Sequence, residues 1–217
     1  MPALLTWWKL DLAELAPDAH HDAVLAIGTD LARRWAEPHR GYHDTRHLVE
    51  VFWALEDLEG GREITAREGA IGRLAGWFHD AVYEPSAPGG ANEVDSADLA
   101  VRDLRALGLA DDDVERVRDL VLATTTHDLR AGGLSAAFHD ADLWILSAPA
   151  ERYDEYTAQV REEYAAVPDD VFRAGRAAIL RPFLDREAIY STETARAGWE
   201  EAARANLLRE FEVLATP

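Results

Sequence analysis

At 217 residues the chain is long enough for one well-buried core and rather short for two, and its 48% hydrophobic and 29% charged content excludes a disordered chain. With 41 acidic against 22 basic residues, the formal net charge of −19 repels phosphate backbones and anionic lipid, so neither a long nucleic acid nor a membrane is an expected partner. The lack of cysteine excludes disulfides, thiolate zinc sites and thiol nucleophiles, leaving histidines and carboxylates as the candidate metal ligands.

In chain order, the N-terminal MPALLTWWKL has no basic leader ahead of its apolar residues and reads as a short segment. No apolar run approaches the roughly 18 residues of a membrane span, and the expected location is the cytoplasm. Apolar spacing is helical nearly throughout, with no alternating β-branched runs, which predicts an all-α, single-domain protein over 1–217. A first helix covers 18–36 and stops before Pro38. The next starts at Asp44, a good N-cap, and ends at Gly60 and Gly61. A third opens on the capping-box pattern Thr65/Glu68 and runs through Phe78. After the Pro/Gly-rich EPSAPGGA, helices are expected at 92–107, 111–125, 138–147, 150–166, 169–182 and 193–214.

Several polar residues fall on faces that should be buried. Residues three and four apart share a helix face, so His79 lies with Ala75 and Ile71, and His47 with Val51 and Leu55. Asp142 precedes Ile145 and Leu146 by the same spacing, although periodicity does not separate it from Asp140, which precedes Leu143 and Trp144 in the same way. An ionised carboxylate facing a core must protonate, pair with a cation or bind a metal. Together with Asp80, which follows His79, these residues offer two imidazole nitrogens and two carboxylates, a donor set suited to a divalent Mn, Mg, Fe, Co, Ni or Zn ion. Taken one at a time, each is more simply a hydrogen-bonded core residue or one half of an ion pair.

The series RGYHDTRHL (40–48), GWFHDAVY (76–83), NEVDS (92–96), TTTH (124–127) and DADLWIL (140–146) resembles, in order and spacing, the HD superfamily of metal-dependent phosphohydrolases, specifically its small bacterial branch. The resemblance is close over about 33–150, the metal-site core, and extends in character to the helices of 150–214. It implies an all-α HD-domain bundle with His47, His79, Asp80 and Asp142 as metal ligands, the family pattern favouring Asp142 over Asp140.

Other residues are assigned around that set. His43, four before His47 but at or ahead of the helix start, is placed in the substrate pocket with Tyr42 and Tyr83, whose hydroxyls suit a phosphate. Arg40 and Arg46 are candidate phosphate clamps through their planar forks, with surface ion pairing the plain alternative. Glu93 and Ser96 match the family's NE-x-x-S, while Asn92 has an N-cap as its plain role. His127 extends the stripe Val114, Val117, Val121 and Thr124 and is assigned to substrate or a second metal. His139 is read as a local variation, and His20 and His21 as solvated.

The expected activity is hydrolysis of a small phosphate ester, possibly a nucleotide, by metal-activated water, with Asp80, His127 and Arg46 in catalytic roles. The rivals are an HD-type di-iron oxygenase, for which His127 and Asp140 would be extra ligands, and a catalytically silent metal- or nucleotide-binding regulatory module. A plain helical interaction protein with core ion pairs is the blandest reading. A homo-oligomer is compatible with the sequence but not indicated by it.

Overall fold

The computed structural model describes residues 2–126, 128 and 132–215. Its helices are α1 (Pro2–Leu15), α2 (His21–Arg34), α3 (Thr45–Gly60), α4 (Ala66–His79), α5 (Ala91–Ala106), α6 (Asp111–Ala123), α7 (Gly133–Asp142), α8 (Ala150–Glu163), α9 (Asp169–Asp185), α10 (Glu193–Gly198) and α11 (Glu200–Ala215), with a 3-10 turn at Leu143–Ser147. There is no strand among the described residues, so the chain is all-α. No helix among them is long and apolar enough to cross a membrane.

The organising element is α4. From Gly69 to His79 every residue except Arg73 is buried, the pattern of a helix enclosed on all sides. It packs against α1, α3, α5, α6 and α7. Its start is the expected capping box, Thr65 and Glu68 satisfying each other's free backbone donors. Gly76 lets α3 approach, because a Cβ there would lie 2.9 Å from Cε1 of Phe52. The approach matters because α3 and α4 each carry a histidine of the cluster described below.

The N-terminal segment is itself a helix, which corrects the sequence reading. Trp8 and Leu12 of α1 are almost fully buried. Trp8 meets Trp77 edge-on at 5.8 Å, and Arg73 of α4 makes a fork to Asp11 at 2.6–3.1 Å. These partners lie more than 60 positions along the chain, so local spacing gave no sign of them.

Three later boundaries also move. The helix expected over 138–147 starts at Gly133 and gives way after Asp142 to the 3-10 turn. Helix α9 continues past Pro182 to Asp185, its last turn held by buried Phe183. The helix expected over 193–214 breaks at Trp199 into α10 and α11.

The C-terminal helices close over the same core. Asn206 of α11 donates to the carbonyls of Leu146 (2.9 Å) and Ala148 (2.8 Å), which fixes the turn following Asp142. Arg152 of α8 forks onto Glu50 of α3 at 2.6 and 2.9 Å, both side chains buried.

Candidate metal centre

Two helix ends and one helix-to-turn junction converge on one point. His47 sits in the first turn of α3, where the Asp44 side chain accepts the backbone N–H groups of Arg46 (2.7 Å) and His47 (3.4 Å) and so sets the start of the helix. His79 is the last residue of α4, and the non-helical backbone of Asp80 turns its carboxylate back toward the same side. Asp142 ends α7 where the backbone tightens into the 3-10 turn.

His47 Nε2 and His79 Nε2 lie 3.2 Å apart. Asp80 Oδ2 lies 3.0 Å from His79 Nε2 and 3.8 Å from His47 Nε2, and Asp142 Oδ1 is 3.3 Å from both. Donors about 2 Å from a shared ion in tetrahedral array stand roughly 3.3 Å apart, and each of these five spacings is near that value. His47, His79 and Asp80 form a group that could hold a metal ion.

The far sides of both rings are occupied. His79 Nδ1 lies 2.8 Å from the Gly76 carbonyl, which can only accept, so Nδ1 carries the proton and Nε2 of the neutral ring presents its lone pair to the cluster. His47 Nδ1 meets the Tyr42 hydroxyl at 2.9 Å. Trp35 lies against both imidazoles and Phe138 against His79, enclosing the rings in aromatic surface.

Burial would lower the pKa of His79 and raise those of the two carboxyls. The charges of Asp80 and Asp142 outweigh it and lift His79 well above the usual imidazole value, while His79 holds both carboxyls well below theirs. The cluster therefore demands positive charge at its centre, which either protons or a cation can supply.

Beside it sits a second arrangement that sequence reasoning missed. The side chain of Glu163, the last residue of α8, is fully buried; its Oε1 accepts the backbone N–H groups of Gly41, Tyr42 and His43 at 2.8–3.0 Å. Its Oε2 accepts from the Tyr83 hydroxyl at 2.8 Å and lies 2.7 Å from His43 Nδ1. Burial opposes a charged His43, but Glu163 outweighs it and raises the His43 pKa. Glu163 itself is pulled down to about 2, against its own burial, chiefly by His43. Gly41 is needed here, since a Cβ would lie 2.7 Å from the Gln159 carbonyl of α8. Glu163 is 80 to 122 positions from its partners, and no local motif marks it.

A cavity of about 230 Å³ opens on the cluster, lined among others by Tyr42, His43, Tyr83, Asn92, Glu93 and Thr124 with His47, His79, Asp80 and Asp142. Of the residues assigned from sequence, Tyr42, His43, Tyr83 and Glu93 reach it. Arg40, Arg46 and Ser96 do not line it, which departs from the expected substrate contacts of Arg40 and Ser96 and the expected catalytic role of Arg46. The Arg40 guanidinium is wholly buried, pairs with Glu37 and donates to the carbonyls of His43, Asp80 and Ala81, so it braces the two segments that carry the site. Arg46 is half exposed and paired with Glu155 and Glu50 on the surface. Ser96 bonds both backbone groups of Val82 and supports the turn after Asp80. Asn92 likewise holds the backbone of Glu84, while the α5 N-cap is Gly90.

Asp140 is engaged elsewhere. Its carboxylate accepts from the backbone N–H groups of Ser191 and Thr192 and from the Thr192 hydroxyl, anchoring the start of α10 away from the histidines. His127 lies outside the described residues. No protein-family model matches the chain, and no curated protein matches it by sequence.

Proposed function

We propose that the chain is a metal-dependent phosphohydrolase acting on a phosphate monoester, with His47, His79, Asp80 and Asp142 as ligands of one divalent ion. The observation that carries this reading is the convergence of four donor atoms, five of their mutual distances between 3.0 and 3.8 Å, at the floor of a cavity also lined by a carboxylate-held imidazole. The order and spacing of the HD-like motifs support it.

A divalent ion held there would act as Lewis acid on a phosphoryl oxygen and acidify bound water. Asp80 orients the attacking water at the rim of the cluster. As the P–O ester bond breaks, His43 Nε2 delivers a proton to the leaving alkoxide, and Glu163 holds the imidazole in the tautomer and orientation this requires. Tyr83 stacks on His43 at 4.2 Å and restricts the ring to that pose. His127 keeps its sequence-based assignment to substrate.

The test is elemental analysis of protein purified aerobically and anaerobically, followed by phosphomonoester turnover with Mn, Mg, Fe, Co, Ni or Zn added. One equivalent of a divalent metal that is lost in His79→Ala, together with hydrolysis falling by 100-fold or more in that variant, is the expected outcome. Two irons with oxygen-dependent turnover would replace this reading by the di-iron oxygenase. A folded protein that binds no metal would leave only a core ion-pair cluster.

A further inference from the structure

Behind the site lies a larger space. A chamber of about 610 Å³ adjoins the metal cavity and shares His43, Thr124, Leu146, Tyr156 and Tyr164 with its walls. Its volume falls within the roughly 300–1,000 Å³ typical of small-molecule sites. The far side is built by α8, α9 and their connection, with Val160, Val167, Phe172, Leu180 and Phe183 facing in. Val171 and Ile179 of α9 also line it and are about half exposed, which gives its outer rim an apolar character.

Charge in the chamber is nearly all accounted for. Its one described arginine, Arg176, donates to both oxygens of Glu210 and to the Tyr156 hydroxyl, all nearly buried, and is neutralised there. Glu93 and His43 stand at the end shared with the metal cavity. Beyond the hydroxyls of Thr124, Thr125, Tyr156 and Tyr164, a nucleoside placed in such a space would bury ring nitrogens, amino groups and ribose hydroxyls against Val, Leu, Ile and Phe, and each unpartnered polar group weakens binding. A hydrocarbon loses nothing by the same burial and gains in proportion to its apolar area.

From this continuity of a polar, metal-competent floor with an apolar chamber, and resting on the hydrolase reading above, we infer that the substrate is an amphiphile, a single phosphate head esterified to an alkyl tail, and not a nucleotide. The head sits at the His47/His79/Asp80/Asp142 cluster and the tail runs between α8 and α9. Hydrolysis would then release inorganic phosphate and a long-chain alcohol.

The experiment measures kcat/KM for methyl, butyl and octyl phosphate, below their micellar concentrations, and for adenosine monophosphate, using the whole chain with manganese added. In parallel, calorimetry measures the binding of methylphosphonate and octylphosphonate, which cannot be hydrolysed. Burial of each methylene is worth roughly threefold to fourfold, so butyl phosphate should exceed methyl phosphate by at least tenfold, with octyl phosphate higher still. Adenosine monophosphate should fall near the methyl ester, and Ile179→Glu should lower the octyl-to-methyl ratio at least fivefold. Hydrolysis with a flat chain-length profile, or with adenosine monophosphate equal to the octyl ester, overturns the amphiphile and leaves the hydrolase standing. If no ester is cleaved but octylphosphonate binds at least tenfold tighter than methylphosphonate, the amphiphile stands and the hydrolytic reading falls. Equal or undetectable binding of the two phosphonates, without hydrolysis, overturns the amphiphile.

Discussion

At His79 a backbone carbonyl decides which ring nitrogen faces the cluster, and at His43 a carboxylate does the same with a charge attached. The second case has a measurable consequence. The Glu163 pKa falls from the usual 4.5 to about 2 on folding, so its contribution to stability is complete above pH 4.5 and is lost as the pH drops toward 2. The His43 pKa rises above its usual 6.5, so its contribution is complete below pH 6.5 and is lost as the pH climbs through the raised value. The pair is therefore worth most between pH 4.5 and 6.5. In urea titrations across pH, the stability gap between the native protein and Glu163→Gln should peak in that window and shrink on both sides. A gap independent of pH would show that Glu163 acts through its backbone hydrogen bonds alone. Proton NMR of the His43 ring should report a lower pKa in the same variant.

Helices position the site through their ends, so capping and close approach should matter more than average propensity. Asp44→Ala removes the acceptor for the N–H groups of Arg46 and His47, and a lost N-cap of this kind costs about 1 kcal/mol. Because His47 is the third residue after that cap, metal affinity should weaken along with stability, both readable from denaturation with and without metal. Gly76→Ala tests the packing of α3 on α4. The new methyl, 2.9 Å from Phe52, must push the helices apart at a cost of about 1–3 kcal/mol. His47 and His79 belong to those two helices, so metal affinity should drop in this variant too. Unchanged affinity in a destabilised Gly76→Ala would mean that the shift is absorbed away from the site.

Over the whole molecule, the cluster draws donors from α3, α4 and α7, segments spread across nearly a hundred positions. Because such a site does not exist in the unfolded chain, metal at 100 times its dissociation constant should stabilise the fold by about 2.7 kcal/mol. For a chain of this size that raises the melting temperature by roughly 5–10 °C, and a chelator should reverse the rise. The buried Arg152–Glu50 fork ties α8 to α3 independently of metal. Among the described residues Arg152→Met leaves Glu50 facing only Arg46, 3.3 Å away and half exposed, and should cost about 3 kcal/mol by urea denaturation. Replacing both partners by apolar residues should recover most of that loss.

Helical periodicity, capping signals and the inward placing of His47 and His79 were legible in the sequence because each depends on neighbours within four residues, a range over which helix geometry is nearly invariant. The all-α class follows from the same local rule, and so does the presence of polar groups where a core was expected. What lay beyond that reach was decided by tertiary structure. The helicity of α1 depends on Trp8 meeting Trp77. That Asp142 and not Asp140 stands beside the histidines depends on where Ser191 and Thr192 fall, and the surroundings of Arg40 and Arg46 on which carbonyls and carboxylates they meet. Glu163 could not be found from any local pattern, because its importance comes from three backbone N–H groups and an imidazole brought to it from 120 positions away. Local chemistry selects which groups need a partner, and only the packed chain determines which partner each one meets.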